Sequence, residues 1–211
     1  IGQEAERNAL LVRPLIHLIK KFYKKPVWIV SDRMMKADDN GEVFFRFLCE
    51  NKKNIKAYFV LSKKSPDYKR LKKIGSVVEP YSIKHRICHL IADYTISSQT
   101  DMVFRNPMKK SRRVYMDMLS KVRFIFLQHG VIHNDISGWL CKRRQMCAGF
   151  VTTTEKERDS IVNGRYNYTP EEVWLTGMPR FDNLVDKREK IVTILPTWRR
   201  FLTKRQNPHT G

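Results

Sequence analysis

The densest group of side chains able to do acid–base chemistry is Gln128-His129-Gly130, followed closely by His133, Asn134, Asp135 and Ser137. A histidine titrates near neutral pH and can take a proton from a hydroxyl as its oxygen attacks, an effect worth roughly 10²–10⁴ in rate. Gly130 lets the backbone turn tightly or lets a ligand come close. Asp135 is placed to orient or polarise a histidine. A lone histidine more often caps a turn; the crowding of polar residues around His129 favours chemistry.

Other segments offer groups for an anion. Residues 32–42 form a polar loop in which Arg33 and Lys36 make a candidate clamp. Asp39 and Asn40 lie beside them, at the start of a helix whose backbone N–H groups also favour anions. Ser97, Ser98 and Gln99 emerge from an apolar run and could hydrogen-bond a hydroxyl or phosphate; a satisfied turn is the plainer reading. Arg180 stands in Leu175-Thr176-Gly177-Met178-Pro179-Arg180-Phe181-Asp182, and Arg199 follows Pro196-Thr197-Trp198. Arginine suits bidentate contact with phosphate, although a basic surface corner looks the same in sequence.

The elements that carry these residues alternate. Short β-branched or aromatic runs at 27–31, 57–61, 94–97, 124–128, 149–152, 173–176 and 191–195 read as strands covered on both faces. Helical patterns fall between them at 41–50, 66–73, 83–93, 155–162 and 180–186. This rhythm predicts an α/β chain with a Rossmann-like, doubly wound parallel sheet, whose ligands sit outside the carboxyl ends of the strands. Residues 8–25 and 105–121 fall outside the rhythm. Both mix apolar residues with Lys and Arg, and each is expected either to lie on an anionic membrane or to pack with a solvated outer face.

Lys and Arg number 41 against 21 Asp and Glu, a formal charge of +20. Such a balance calls for an anionic partner, whether nucleic acid, membrane surface or phosphate-bearing substrate. The basic residues are spread along the chain and no nucleic-acid-binding signature accompanies them, so a nucleic-acid partner is not expected. Cys49, Cys88, Cys141 and Cys147 are scattered, which predicts reduced thiols in a cytoplasmic protein. No metal-binding constellation stands out. No apolar run approaches the roughly 20 residues that span a bilayer. The first residues do not read as a signal peptide, and the absent initiator Met is read as an upstream start or trimming.

Taken in order, five segments resemble the CDP-glycerol:poly(glycerophosphate) glycerophosphotransferase family, polymerases of teichoic acids and related capsules. They are Lys36-Ala37-Asp38-Asp39-Asn40-Gly41-Glu42, Ser97-Ser98-Gln99, Leu127-Gln128-His129-Gly130-Val131, residues 175–184 from Leu175-Thr176-Gly177 to Asn183-Leu184, and Pro196-Thr197-Trp198-Arg199. The resemblance implies a GT-B architecture of two Rossmann-like domains. Residues 1–187 would be the acceptor-side domain, and residues 188–211 the first strand and loop of a donor-binding domain. It further implies a polyol-phosphate transferase in which His129 is the general base. Arg33, Lys36, Asp39, Asn40, Ser97, Ser98, Gln99, Gln128, Gly130, His133, Arg180 and Arg199 would line the substrate site.

The implied partners are a CDP-polyol donor, a lipid-linked polyol-phosphate acceptor and an anionic membrane surface, at the cytoplasmic face of a bacterial membrane. No cofactor is required by the residues themselves, and Mg²⁺ could accompany the donor's pyrophosphate. Members commonly carry a Lys a few residues after His-Gly, where His133 stands, and often a Trp where Gln128 stands. The 211 residues alone are expected to turn over no substrate. Two other functions fit the same pattern: a glycosyltransferase with a nucleotide-sugar donor, and a basic nucleic-acid- or membrane-binding module without catalysis.

Overall fold

A computed structural model describes residues 3–188 and 190–194. The apolar runs become β1 (Val27–Ser31), β2 (Lys56–Val60), β3 (Ser76–Val78), β4 (Tyr94–Ser97), β5 (Arg123–Phe126), β6 (Cys147–Thr152) and β7 (Val173–Leu175). All six pairings are parallel, and the order is β3-β2-β1-β4-β5-β6-β7. The expected α/β, Rossmann-like doubly wound sheet is therefore present. The order reverses between β1 and β4, so the crevice that such sheets use for ligands opens at the carboxyl ends of those two strands.

Nine α-helical segments accompany the sheet among the described residues: α1 (Gln3–Phe22), α2 (Asn40–Asn51), α3 (Tyr68–Ile74), α4 (Ile83–Ile91), α5 (Met102–Arg105), α6 (Met116–Leu119), α7 (Ser137–Leu140), α8 (Lys142–Gln145) and α9 (Glu155–Val162). Alternation along β1 sends Val27 and Ile29 to one face, where they pack with Ile16 of α1, Leu90 and Ile91 of α4, and Met118 of α6. Val30 turns to the other face, against Phe45 and Leu48 of α2 and Leu71 of α3. Phe124, Phe126 and Phe150 form a third cluster with Ile161 of α9, closed by the buried rings of Tyr166 and Tyr168. Each aromatic side chain takes a large apolar area out of water, and fully burying one is worth on the order of 1.5–3 kcal/mol.

The two basic stretches set apart by their sequence meet each other. Ala9, Val12, Ile16 and Ile19 recur at helical spacing and turn α1 inward. Arg13 Nε donates to Asp117 at 3.1 Å, and its Nη2 donates to the Val114 carbonyl at 2.6 Å, tying α1 to the 3₁₀ turn Lys109–Tyr115 and to α6. The outer face of α1 still exposes Leu11, Leu15, Leu18 and Phe22. Among the described residues no helix is long and apolar enough to cross a membrane. All four cysteines are unpaired thiols, with Cys88 and Cys147 buried.

Three expectations about elements are corrected. β3 was not foreseen, because a three-residue strand after a lysine-rich helix is too short to show a pattern. Residues 180–186 do not form an α-helix: Pro179–Asn183 make a 3₁₀ turn, and Leu184 and Val185 are largely exposed, so among the described residues no apolar face holds a longer helix down. Ile191–Ile194 carry no regular structure, and Leu195 and Arg199 lie outside the described residues.

Candidate functional site at the carboxyl edge of the sheet

β1 leads directly into Asp32, a fully buried carboxylate. It accepts from the backbone N–H groups of Gly41 at 2.7 Å, Glu42 at 2.9 Å and Asp39 at 3.2 Å, and so draws the first turn of α2 against the strand end. A side chain at Gly41 would collide with the Ser31 carbonyl, so only glycine permits this approach. Burial pushes the Asp32 carboxyl up to about 6, against the opposing pull of the N–H groups of Gly41 and Glu42.

Asp39 caps α2. Next to it, the fully buried Asn40 fastens two distant loops. Its Nδ2 donates to the Gln128 carbonyl at 2.7 Å, and its Oδ1 accepts from the Arg180 N–H at 3.0 Å. Arg180 also bridges to the Asp39 carboxylate at 3.0 Å. Three of the segments singled out by sequence therefore meet through one clasp.

Gln128 sits in the left-handed backbone region, at φ 61°, a conformation that costs a non-glycine residue roughly 1–2 kcal/mol. Its side chain helps to hold it there, donating to the Val151 carbonyl at 2.5 Å and to Glu157 at 3.1 Å. Buried Glu157 also accepts from the N–H groups of Ile132 at 2.7 Å and Thr153 at 2.7 Å. The turn after β5 is thus gripped from both sides, by Asn40 and by Glu157, and it presents His129.

His129 is exposed, and its Nδ1 lies 3.0 Å from the Ser98 carbonyl. A carbonyl can only accept, so in the neutral ring Nδ1 carries the hydrogen. Nε2 then keeps its lone pair and is able to accept a hydrogen bond. Nearby, the buried atoms Gln99 Nε2 and Thr153 Oγ1 have no hydrogen-bond partner among the described residues, which leaves a donor and a hydroxyl free for a ligand.

The remaining predicted residues distribute unevenly. Arg33 and Lys36 are exposed in the loop after β1, where the Arg33 N–H donates to the Lys36 carbonyl at 3.1 Å. Ser97 and Ser98 are buried, and Ser97 Oγ accepts from the Gln99 N–H at 3.0 Å. Gly130 is half-buried in the same turn, and exposed His133 is far from any strong hydrogen bond, with its Nδ1 3.4 Å from Asn134. Asp135 makes its contacts away from His129: it accepts from the Ser137 N–H at 2.9 Å and from Arg165 at 2.5 Å, and these partners hold its carboxyl down to about 2. The ring of His129 is oriented by the Ser98 carbonyl instead.

Asn40 and Gln128 are both buried, with their side chains bonded inside the protein, so in this structure they hold loops in place. Asp32, Glu157 and Thr153 were missed by sequence reading. The Thr154-Glu155-Lys156-Glu157 spacing is that of a capping box and could have drawn attention to Glu157. Among the described residues no three His, Cys, Asp or Glu side chains converge as metal ligands, and Asp32 is committed to backbone N–H groups.

The sequence model of the family described as CDP-Glycerol:Poly(glycerophosphate) glycerophosphotransferase matches residues 13–207. The chain is also 40% identical over 199 residues to the "Minor teichoic acid biosynthesis protein GgaB" of Bacillus subtilis (strain 168), a match covering 94% of this chain and 22% of that protein. The chain thus spans about a fifth of that relative's length. No solved structure matches it.

Proposed function

We propose, on the premise that this chain belongs to the CDP-glycerol:poly(glycerophosphate) glycerophosphotransferase family, that it forms the acceptor-side domain of a transferase moving a polyol-phosphate unit onto a growing teichoic acid or capsule polymer. The observation that carries this reading is the His129 ring, pinned at Nδ1 by the Ser98 carbonyl with Nε2 open at the switch-point edge. In the reaction, Nε2 takes the proton of the acceptor's terminal hydroxyl while that oxygen attacks the β-phosphorus of a CDP-polyol. The bond from the β-phosphorus to the oxygen bridging the two phosphates breaks, CMP leaves with that oxygen, and the proton passes from His129 to solvent. Phosphoryl transfer asks the protein mainly for positioning and charge neutralisation. Arg33 and Lys36 supply cations, and Gln99 and Thr153 supply hydrogen bonds. On this reading residues 1–187 form one domain, and the chain from 188 onward enters a second, donor-binding domain that supplies further contacts, Arg199 among them.

The outer face of α1 supports membrane attachment as part of the same function. Leu11, Leu15, Leu18 and Phe22 form one apolar stripe, and Lys20, Lys21, Lys24 and Lys25 follow at its end. A helix of this kind lies in the interface of an anionic bilayer, each lysine adding about 1 kcal/mol. The protein would then work from the cytoplasmic face, on a lipid-linked acceptor.

The test is CMP release by the protein in its full encoded length, given CDP-glycerol or CDP-ribitol and a lipid-linked polyol-phosphate acceptor on liposomes. Acceptor-dependent CMP from one donor is the expected result. Silence with both, from folded and liposome-bound protein, would refute the assignment and favour a nucleotide-sugar donor or a scaffold.

A further inference from the structure

At the amino ends of β4, β5 and β6, on the sheet edge opposite His129, lies a cavity of about 240 Å³. Arg105, Arg112 and Arg123 line it together with His89, Met102 and Met116. No carboxylate is in the lining, and none of the three arginines has an ion-pair partner among the described residues. Three unneutralised guanidinium groups around one hollow repel one another, and an arrangement of this kind is stabilised by an anion. Arg105 is held in place by its own fold: Nη1 donates to the Gln145 carbonyl at 2.8 Å and to Gln145 Oε1 at 2.6 Å, and the guanidinium stacks on Phe124, 5.5 Å from the ring centre.

His89 is the second, independent sign of a ligand. The residue is only 1% exposed, it lines the cavity, and its Nδ1 has no hydrogen-bond partner among the described residues. A buried ring nitrogen left unpaired is costly, and a hydrogen-bonding group of a ligand in the hollow would relieve that cost. Burial and the neighbouring His85 push the imidazole down to about 3, so near neutral pH it is an uncharged hydrogen-bonding group. The methionines add flexible apolar walls that suit a carbon skeleton.

We propose that this cavity is a second ligand site, separate from the His129 edge, for a small phosphate monoester. The phosphate oxygens lie among Arg105, Arg112 and Arg123, and its carbon part rests on Met102 and Met116. Arginine's planar fork matches phosphate geometry, and a hollow of this size holds a phosphate with a few carbons. A soluble phosphate ester and the headgroup of an anionic lipid share this chemistry. β5 connects the two edges, since Arg123 opens the strand at the cavity and its other end leads to His129.

The test uses the full chain labelled with ¹³C at its methionine methyl groups. Glycerol 3-phosphate is titrated in one arm and dihexanoyl phosphatidic acid, below its micelle concentration, in the other. Saturable shifts of the Met102 and Met116 resonances are expected in at least one arm. A response to glycerol 3-phosphate identifies a soluble ester, and a response to the lipid alone identifies a headgroup. Arg112→Gln combined with Arg123→Gln, two exposed positions, is expected to weaken that binding about tenfold or more, with an unchanged melting temperature. Met178, beside Arg180 at the other edge, reports any separate binding there. No shift of Met102 or Met116 with either probe, or shifts that survive the double substitution, would overturn the proposal.

Discussion

The side-chain Nδ2 of Asn40 donates to the backbone carbonyl of Gln128, 88 residues away, at 2.7 Å inside the protein. This bond joins the loop after β1 to the turn that presents His129. The other end of the same amide holds the Arg180 N–H. One buried side chain therefore sets the spacing of three loops at the switch point, and the orientation of His129 depends on a residue that need not touch substrate.

Asn40→Ala leaves the Gln128 carbonyl and the Arg180 N–H unpaired within the protein. Each such loss costs roughly 1–3 kcal/mol, so a destabilisation of about 2–4 kcal/mol is expected. Urea denaturation measures it. A change below about 0.5 kcal/mol would show that water or a neighbour replaces the clasp.

Glu157→Gln tests the opposite grip on the His129 turn. The carboxylate serves three donors, on Ile132, Thr153 and Gln128, whereas the amide turns an NH₂ toward one of them. Transfer should fall in kcat with little change in KM for the acceptor, because the base is misplaced rather than the binding surface removed. A pure KM effect would place Glu157 in substrate binding.

Acid should weaken the fold through His85 and His89. Burial pushes these rings down to about 4 and about 3. Their pKa values are depressed in the folded chain, so their stabilisation is complete above the unfolded value of about 6.5 and drains away as pH falls below it. At pH 5 this amounts to roughly 2 kcal/mol per histidine. Asp32 opposes the trend: its carboxyl is raised from 3.8 to about 6, so its stabilisation is full below 3.8 and is lost as pH rises through 6. Urea midpoints at pH 7 and pH 5 should show a net loss in acid, and a steeper one in Asp32→Asn, where the offset is gone. A midpoint that does not move would contradict the neutral buried pair.

The proposed attachment to a bilayer can be tested apart from folding. Leu11→Ser, Leu18→Ser and Phe22→Ser fall on exposed positions of α1, at 69%, 52% and 73% exposure. The triple variant should lose binding to anionic liposomes while keeping its melting temperature within a few degrees. Undiminished sedimentation with liposomes would assign attachment to another surface.

Much of the fold was legible because parallel strands buried on both faces must be apolar almost throughout. The run Val27–Ser31 is identical in sequence reading and structure, and β5 delivers His129 to the carboxyl edge as its apolar pattern implies. Long-range pairing was not legible. Nothing local says that Asn40 reaches Gln128, that Gln128 adopts positive φ, or that Asp135 prefers Arg165 to a histidine. The residue types at 39–40 and 128 drew attention to these loops, but not to the buried bonds by which Asn40 and Gln128 tie them together. Residues 180–186 failed differently: their apolar side chains suggested a helix, but among the described residues no surface covers Leu184 and Val185.

The most direct test of the central claim is acceptor-dependent CMP release by the full-length protein carrying His129→Ala. The account predicts a fall in kcat of roughly 10²–10⁴ with the melting temperature preserved, since the exposed ring makes one hydrogen bond and its Nε2 is the base. Turnover within about twofold of the unsubstituted protein would contradict it and remove His129 from the chemistry.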